Sequence, residues 1–443
     1  MKRILLFFFL IPFFAAAQSV NRNHSAAIKL KLKKLNFLGS VLYVAAHPDD
    51  ENTRIIASMA NHELAATAYL SMTRGDGGQN LIGPEIRDLL GVIRTQELLA
   101  ARRIDGGRQF FTRAVDFGYS KSADETFSVW GKDSVLHDVI KVYRQFQPDV
   151  IITRFPPDER AGHGHHTASA MLAIEAFSKA ADPKIFPKQL GTLSVWQSKR
   201  LYTNTGRWWN SSITEDTPGV VAVDVGGFSP LLGTSFSEIA AISRSQHKSQ
   251  GFGSRGTRGR QLEFLEYQKG DSASRSIFEG VNTSWSRLPN GAAIEKKVDG
   301  IIKNFDEEKP YTIAPALLEV RKMIAALSPS VWRDRKLQEV EQLIQDCIGL
   351  YLEVTADQYW VAPGEQVRLG FELVNRSPVN VQVNRISVNA TGFDSTAVIG
   401  LQENIPVLFQ TNKTISADAP YSGPYWLKHP HATGMFNVND PEL

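Results

Sequence analysis

Short apolar runs alternate with amphipathic stretches from residue 41 to residue 244, and this alternation limits the chain to one broad architecture. Val41-Leu42-Tyr43-Val44-Ala45-Ala46 is a short, uniformly apolar run, the pattern of a strand buried in a parallel sheet. Ala65 to Met72, Phe110 to Val115, Asp149 to Thr153 and Gly219 to Val225 read as further strands. Between them, Ile55 to His62, Ile86 to Arg103, Val135 to Phe146, Thr167 to Ala181 and Ser235 to Arg244 read as helices. Strands alternating with helices predict an α/β unit, a mostly parallel sheet with helices on both faces, from about 38 to 270. Residues 24–38 add a short basic helix ahead of it.

The pattern changes after residue 270. Residues 271–350 hold helix-like stretches, chiefly Ala314 to Leu327 and Val331 to Leu350, and read as a helical connecting region. From Tyr351 the residues mostly alternate apolar and polar: Leu352 to Thr355, Gln366 to Val374 and Val381 to Val388, separated by Pro363-Gly364 and Ser377-Pro378. Short strands at this spacing predict an Ig-like β-sandwich over 351–443. No closing strand precedes Pro441-Glu442-Leu443, so the sandwich is expected to continue beyond this sequence.

Met1-Lys2-Arg3 is basic, Ile4 to Phe14 is apolar, and Ala15-Ala16-Ala17 follows. That is the layout of a cleavable secretory leader over 1–17, with a mature start near Gln18 and a secreted or periplasmic destination. The apolar run falls short of the ~20 residues a membrane span needs. No later segment has a continuous apolar run of that kind, so no stable span is expected after cleavage. Lys and Arg number 49 against 46 Asp and Glu, a net +3 that gives no basic field for nucleic acid. Cys347 is the one cysteine, which excludes an intramolecular disulfide framework and a Cys-x-x-Cys zinc site. A metal site in this chain must therefore use histidine and carboxylate ligands.

Two clusters supply such ligands. The first strand runs into His47-Pro48-Asp49-Asp50-Glu51, at the carboxyl end of a strand, where open α/β sheets bind ligands. Pro48 pushes His47 toward an extended backbone, and the adjacent carboxylates can point different ways from a tight turn. The competing reading makes Asp49 or Asp50 the N-cap of the next helix. The second cluster is Gly162-His163-Gly164-His165-His166, after the strand at Asp149 to Thr153. His163 and His166 share a face if their turn is helical. Its competing reading is a solvated loop. Both clusters follow parallel strands and are expected on one edge of the sheet. Two histidines with one carboxylate form a hydrolytic zinc set that leaves a position open for water, and a second carboxylate then serves as base.

The Ala46-His47-Pro48-Asp49-Asp50-Glu51 run, paired with the H-x-x-H at 163–166, resembles the PIG-L/LmbE-like zinc deacetylases over about 38–270. The resemblance implies a Rossmann-like, LmbE-like sheet and removal of acetyl from N-acetylglucosaminyl compounds. It implies that His47, Asp50 and His166 bind Zn2+, or another divalent metal. By the same resemblance Asp49 is the general base and later the proton donor to the leaving amine, and His163 stabilises the oxyanion. Family members often carry Asp before the last histidine, where this chain has His165. Ser71 to Gly78 resembles the family's glycine-containing loop and puts Arg74 among the candidate substrate-binding residues. Asp116 lies near the family's sugar-binding carboxylate, and His247 falls in a segment of H-x-S-Q type. Arg94 and Glu97 match an R-x-x-E helix and read as a structural pair. Gly251 to Gly256 matches G-x-G-x-x-G by letter, but no apolar strand precedes it, so a dinucleotide site is excluded. Trp208-Trp209 is a candidate stacking platform for a sugar.

The expected function is an exported zinc hydrolase that cleaves an N-acetyl group from an N-acetylglucosamine-type sugar or glycoconjugate. Its partner is an N-acetylated sugar or glycan, with no nucleic acid. An amidase acting on another amide and a non-catalytic glycan-binding protein stay open beside it. Export points to an extracytoplasmic glycan; the sugar, the acyl group and the oligomeric state stay open.

Overall fold

The computed structural model describes residues 24–438, so the expected leader at 1–17 and the last five residues lie outside the described ones. Six strands of the main sheet are β1 (Ser40–Ala45), β2 (Ala66–Ser71), β3 (Arg108–Phe111), β4 (Val150–Thr153), β5 (Arg200–Thr205) and β6 (Val220–Asp224). The seventh is Leu262–Gly270, and the order across the sheet is β3-β2-β1-β4-β5, then Leu262–Gly270, then β6. All pairs from β3 to β5 are parallel, and Leu262–Gly270 is antiparallel to both of its neighbours.

β1, β2, β4 and β5 are almost wholly buried because both faces of the sheet carry helices there. Side chains alternate along β1: Leu42 and Val44 join one core with the helices Ala123–Trp130, Lys132–Phe146 and Gly164–Lys179. Val41, Tyr43 and Ala45 join the other, with the helices Thr53–Asn61 and Asp88–Asp105. The sheet builds outward from β1 through β2 to β3, and then the chain crosses to β4 on the other side of β1. Strand order therefore reverses between β1 and β4, which leaves a crevice beyond their carboxyl ends. The register Val44↔Thr153 brings the His47 turn and the loop after β4 to the same height.

The sequence reading missed β5 and Leu262–Gly270. Arg200–Thr205 carries an arginine, an asparagine and two threonines, so its burial does not show as an apolar run. Charged and polar residues interrupt Leu262–Gly270 in the same way. The helical region also differs from the expectation. Ser25–Leu35 packs through Ile28, Leu32 and Leu35 against Ala292–Lys303, Ala314–Ala325 and Val331–Cys347, so the helical layer draws on both sides of the α/β unit. Ile277 and Phe278, by contrast, pack beneath the main sheet, and Arg287 pairs with Asp149 at 2.7 Å.

Beyond the helices, Tyr351–Ala356, Gln366–Val374 and Val407–Thr414 form a three-stranded antiparallel sheet, and Val381–Val388 pairs with Phe393–Leu401. Val367, Leu369 and Phe371, with Phe409 beside them on the same sheet, face Ile386, Val388 and Phe393 of the other, as in a β-sandwich. The chain then leaves the sandwich and returns to the α/β unit. Met435 bridges to Ala114, and Trp426 and Phe436 pack with Val115. Nothing in the pattern of residues 424–438 signals this return.

Candidate active site

The turn after β1 is shaped by its own side chains. Asn52, not an aspartate, caps the helix Thr53–Asn61, accepting from Arg54 N–H at 3.1 Å and Ile55 N–H at 3.3 Å. Asp49 and Asp50 are thereby left for other work. Asp50 Oδ2 accepts from His47 N–H at 2.8 Å and stands 3.1 Å from His47 Nδ1. Asp49 sits at φ +86°, a left-handed backbone that a non-glycine residue adopts only when its surroundings impose it. Arg94 imposes it from one side, donating to the Pro48 carbonyl and lying 3.1 Å from Asp49 Oδ1. Arg244 holds the Asp49 carbonyl at 2.9 Å, and Glu51 accepts the Asp49 N–H at 2.8 Å.

The loop after β4 ends at His163, the N-cap of the helix Gly164–Lys179. Gly164 is required there, because a Cβ would strike the Ser122 carbonyl and the hydroxyls of Ser120 and Thr126. His163 Nδ1 accepts from His165 N–H at 3.0 Å, so the neutral ring carries its proton on Nε2. His166 Nδ1 faces the Ala161 carbonyl at 3.1 Å, and the ring stacks 3.8 Å from that of Phe155. That contact places the His166 proton on Nδ1 and leaves the Nε2 lone pair free, 3.6 Å from Asp50 Oδ1.

Among the described residues, two groups of three donors could hold a cation, and both include His47: one with Asp50 and His166, the other with Asp116 and His165. The first opens on a cavity of about 440 Å³ lined by Asp49, Asp50, His166, Arg154, Phe155 and Trp208, among others. The second lies deeper, and only its Asp116 lines a cavity. His165 is fully buried, with Phe117 and Trp130 rings 4.5 and 4.6 Å away, and its Nδ1 lies 3.0 Å from His47 Nε2. Only the first has two of its three donors on one cavity. Its two imidazoles and one carboxylate are a zinc-type donor set, and each histidine has its other nitrogen engaged, as metal-bound histidines do.

Electrostatics separate the two neighbouring aspartates. Burial would raise Asp50, yet the His166 and His47 rings hold its carboxyl far below the usual range. Burial pushes Asp49 up to about 6, against the pull of Arg94 and with the push of Asp50. Burial and the neighbouring His47 and His166 rings hold His163 down, to about 4, so this imidazole is neutral at pH 7.

His47, Asp49, Asp50, His163 and His166 thus meet at one point, and Asp116 reaches it from behind, its Oδ2 3.9 Å from His47 Nε2. Two other candidates do not meet there. Arg74 is buried and faces away: it donates to Tyr425 Oη at 2.7 Å and stacks between Phe111 and Trp426, at 4.1 and 3.5 Å. The returning C-terminal segment has claimed it. His247 is fully buried, its Nε2 2.7 Å from Glu51 Oε1, in a network with Arg102 and Asp105 that supports the His47 turn from beneath. Both are corrections to the substrate-binding expectation. The Arg94–Glu97 pairing also fails, since Glu97 binds Ser249 while Arg94 reaches the Asp49 turn. Arg94, which the R-x-x-E spacing paired with Glu97, is instead a neighbour of the site. Trp208 is 60% exposed and lines the cavity.

A mostly parallel sheet whose switch-point loops present a His–Asp–His donor set beside a second aspartate is an α/β domain with a site that could hold a metal ion. Residues 42–177 match the family model described as PIG-L, GlcNAc-PI de-N-acetylase, and the chain carries a PIG-L domain over those residues. A 1D-myo-inositol 2-acetamido-2-deoxy-alpha-D-glucopyranoside deacetylase from Streptomyces avermitilis is 27% identical over 246 residues, covering 47% of this chain and 82% of that protein. A protein of the same name from Geodermatophilus obscurus is 32% identical over 183 residues, covering 37% of this chain and 60% of that one. Among solved structures, N,N'-diacetylchitobiose deacetylase from Pyrococcus horikoshii aligns at 20% identity with a TM-score of 0.35, over 48% of this chain and 70% of its own. These relatives are deacetylases by name.

Proposed function

We propose that this chain is an exported, metal-dependent hydrolase that removes the N-acetyl group from an N-acetylglucosamine-type sugar or glycoconjugate. The observation that carries the proposal is the His47–Asp50–His166 donor set opening on a cavity beside Asp49. The PIG-L domain supports the reaction class, and the leader-like layout of residues 1–17 supports export. Zn2+ suits two imidazoles and a carboxylate, and when bound it supplies Lewis-acid polarisation of the amide carbonyl and a water acidified to a pKa of ~7.

The chain's own groups then divide the work. Asp49 is fixed by Arg94 and does not share Asp50's bond to the His47 backbone, so it is the carboxylate able to take a proton from water. The same oxygen can return that proton to the departing nitrogen. His163, neutral with its Nε2–H unclaimed by any described residue, donates to the carbonyl oxygen as negative charge develops there. Phe155 and the Ala161 carbonyl hold His166 in one orientation throughout.

Metal content by mass spectrometry and acetate release from N-acetylated sugars test the reading together. Near one zinc per chain, lost in His166→Ala, is the expected result. Asp49→Ala is expected to keep the metal and lose about 10²–10⁴-fold in kcat, the range of one general base. Full turnover in Asp49→Ala would overturn the assignment of the base, and a wild-type chain that takes up no metal would overturn the hydrolase reading.

A further inference from the structure

Three residues of the segment 243–247, outside the stretch matched by the PIG-L model, converge on the two peptide units that flank Asp49. Arg244 donates to the Asp49 carbonyl at 2.9 Å. His247 reaches the other side through Glu51. The Glu51 carboxylate commits one oxygen to the turn, Oε2 accepting from Asp49 N–H at 2.8 Å, and the other, Oε1, to His247 Nε2 at 2.7 Å. A carboxylate has no proton to give, so the His247 ring donates from Nε2. Arg102 Nη2 stands farther from that oxygen, at 3.4 Å, and is itself held by Asp105 at 2.5 Å. Ser243 closes the chain by donating to Asp105 Oδ2 at 2.6 Å. Every member of this network, from Glu51 to His247, is almost or fully buried.

The network bears on the one strained residue of the site. Asp49 sits at φ +86°, and the direction of its carboxylate follows from that angle. The bond from its N–H to Glu51 holds the peptide before it, and that bond is only as fixed as Glu51 itself. Of the two groups on Glu51 Oε1, His247 is the nearer by 0.7 Å (2.7 against 3.4 Å). The other ring nitrogen, Nδ1, is buried without a hydrogen-bond partner among the described residues, so the ring's hydrogen bonding is directed wholly at Glu51. His247 does not line the cavity at the donor set. We infer that His247 is a positioning residue for Asp49: by holding Glu51 it fixes the left-handed turn, and with it the direction of the carboxylate that takes the proton. The inference rests on the deacetylase reading above, in which Asp49 is the base. Its consequence falls on turnover, because a catalytic group displaced by about 1 Å costs on the order of 10²-fold in rate.

Two variants of the full chain separate positioning from packing. A glutamine amide reaches as far as the imidazole Nε2, and an asparagine amide only as far as Nδ1. His247→Gln therefore keeps the donation to Glu51, and His247→Asn loses it. In acetate release from N-acetylglucosamine, His247→Asn is expected to lose roughly 10- to 100-fold in kcat, with KM within about twofold of the wild type and its zinc retained. His247→Gln is expected to stay within about threefold of the wild-type kcat. Hydrogen exchange of the Asp49 amide gives a readout independent of activity: protected in the wild type and His247→Gln, and roughly tenfold faster or more in His247→Asn. A residue that only packs would lower the thermal midpoint of both variants and leave kcat per zinc-loaded chain unchanged. Equal kcat in the two variants, or a loss that appears in KM or zinc content instead, would overturn the inference while the deacetylase reading stands. Should His247→Asn not fold, His247→Leu supplies the variant without a donor. If the wild-type chain releases no acetate, the deacetylase reading fails and the effect on turnover with it. Equal exchange of the Asp49 amide in both variants refutes the positioning role separately.

Discussion

His47 stands between two partners, its Nδ1 3.1 Å from Asp50 Oδ2 and its Nε2 3.0 Å from His165 Nδ1. His47, Asp49, Asp50, His163 and His166 stood out as two motifs that each follow a parallel strand, with their roles implied by the family resemblance, and the structure brings the five side chains together. Arg74 and His247 carry equally suggestive chemistry, yet both are buried on the far sides of their segments, where a partner distant in sequence engages them. His165 is the reverse case, for its fully buried ring meets His47 Nε2 at 3.0 Å and so fixes the nitrogen opposite the one that faces Asp50. If His47 uses Nδ1 as a ligand, His165 sets its orientation and tautomer, and loss of such a partner lowers metal affinity about 10–100-fold. His165→Ala is therefore expected to bind zinc that much more weakly in a chelator competition. Affinity unchanged within twofold would show that Asp116 alone suffices.

Elements with regular apolar periodicity were legible, and those held by buried polar contacts were not. The strand Val41 to Ala46 and the helix Val331 to Leu350 read correctly to within a few residues. What joins that helix to Ser25–Leu35 did not read at all. Lys336 is almost fully buried, donates to the Lys34 carbonyl at the C-terminal end of Ser25–Leu35, and pairs with Glu339 at 2.7 Å. Burial pushes its ammonium down, to about 8, against the pull of Glu339. Below that pH both the folded and unfolded chains hold the proton, and the folded state carries the whole cost of burying a cation. Between about 8 and the ordinary lysine pKa of ~10.4 the unfolded chain binds more protons than the folded one, so stability rises with pH. Lys336→Met removes that contribution. Its unfolding free energy in urea is expected to rise less across this window than that of the wild type, and parallel profiles would refute the assignment.

At the scale of the whole molecule, the sequence showed the succession of an α/β unit, helices and strands, but not that the last described residues fold back onto the first unit. Nothing in the composition of 424–438 signals a docking segment, because its partners lie more than three hundred residues earlier: Arg74 and Tyr425 are 351 positions apart. Closing so long a loop has an entropic cost that grows only slowly with its length, so a few buried contacts can hold the segment. Arg74 supplies the strongest of them, a charged hydrogen bond to Tyr425 and a cation–π contact with Trp426, in surroundings that leave it 2% exposed. Arg74→Met keeps most of the packing volume and deletes both polar terms, which should weaken docking by about 2 kcal/mol. Lys428 is exposed on the segment, so trypsin reports its release under native conditions. When opening is fast relative to cleavage the rate tracks the open population, and about 2 kcal/mol then corresponds to roughly 30-fold faster cutting at Lys428. Cutting that is no faster than in the wild type would mean that the backbone bonds of Val115 and Phe436 hold the segment without Arg74.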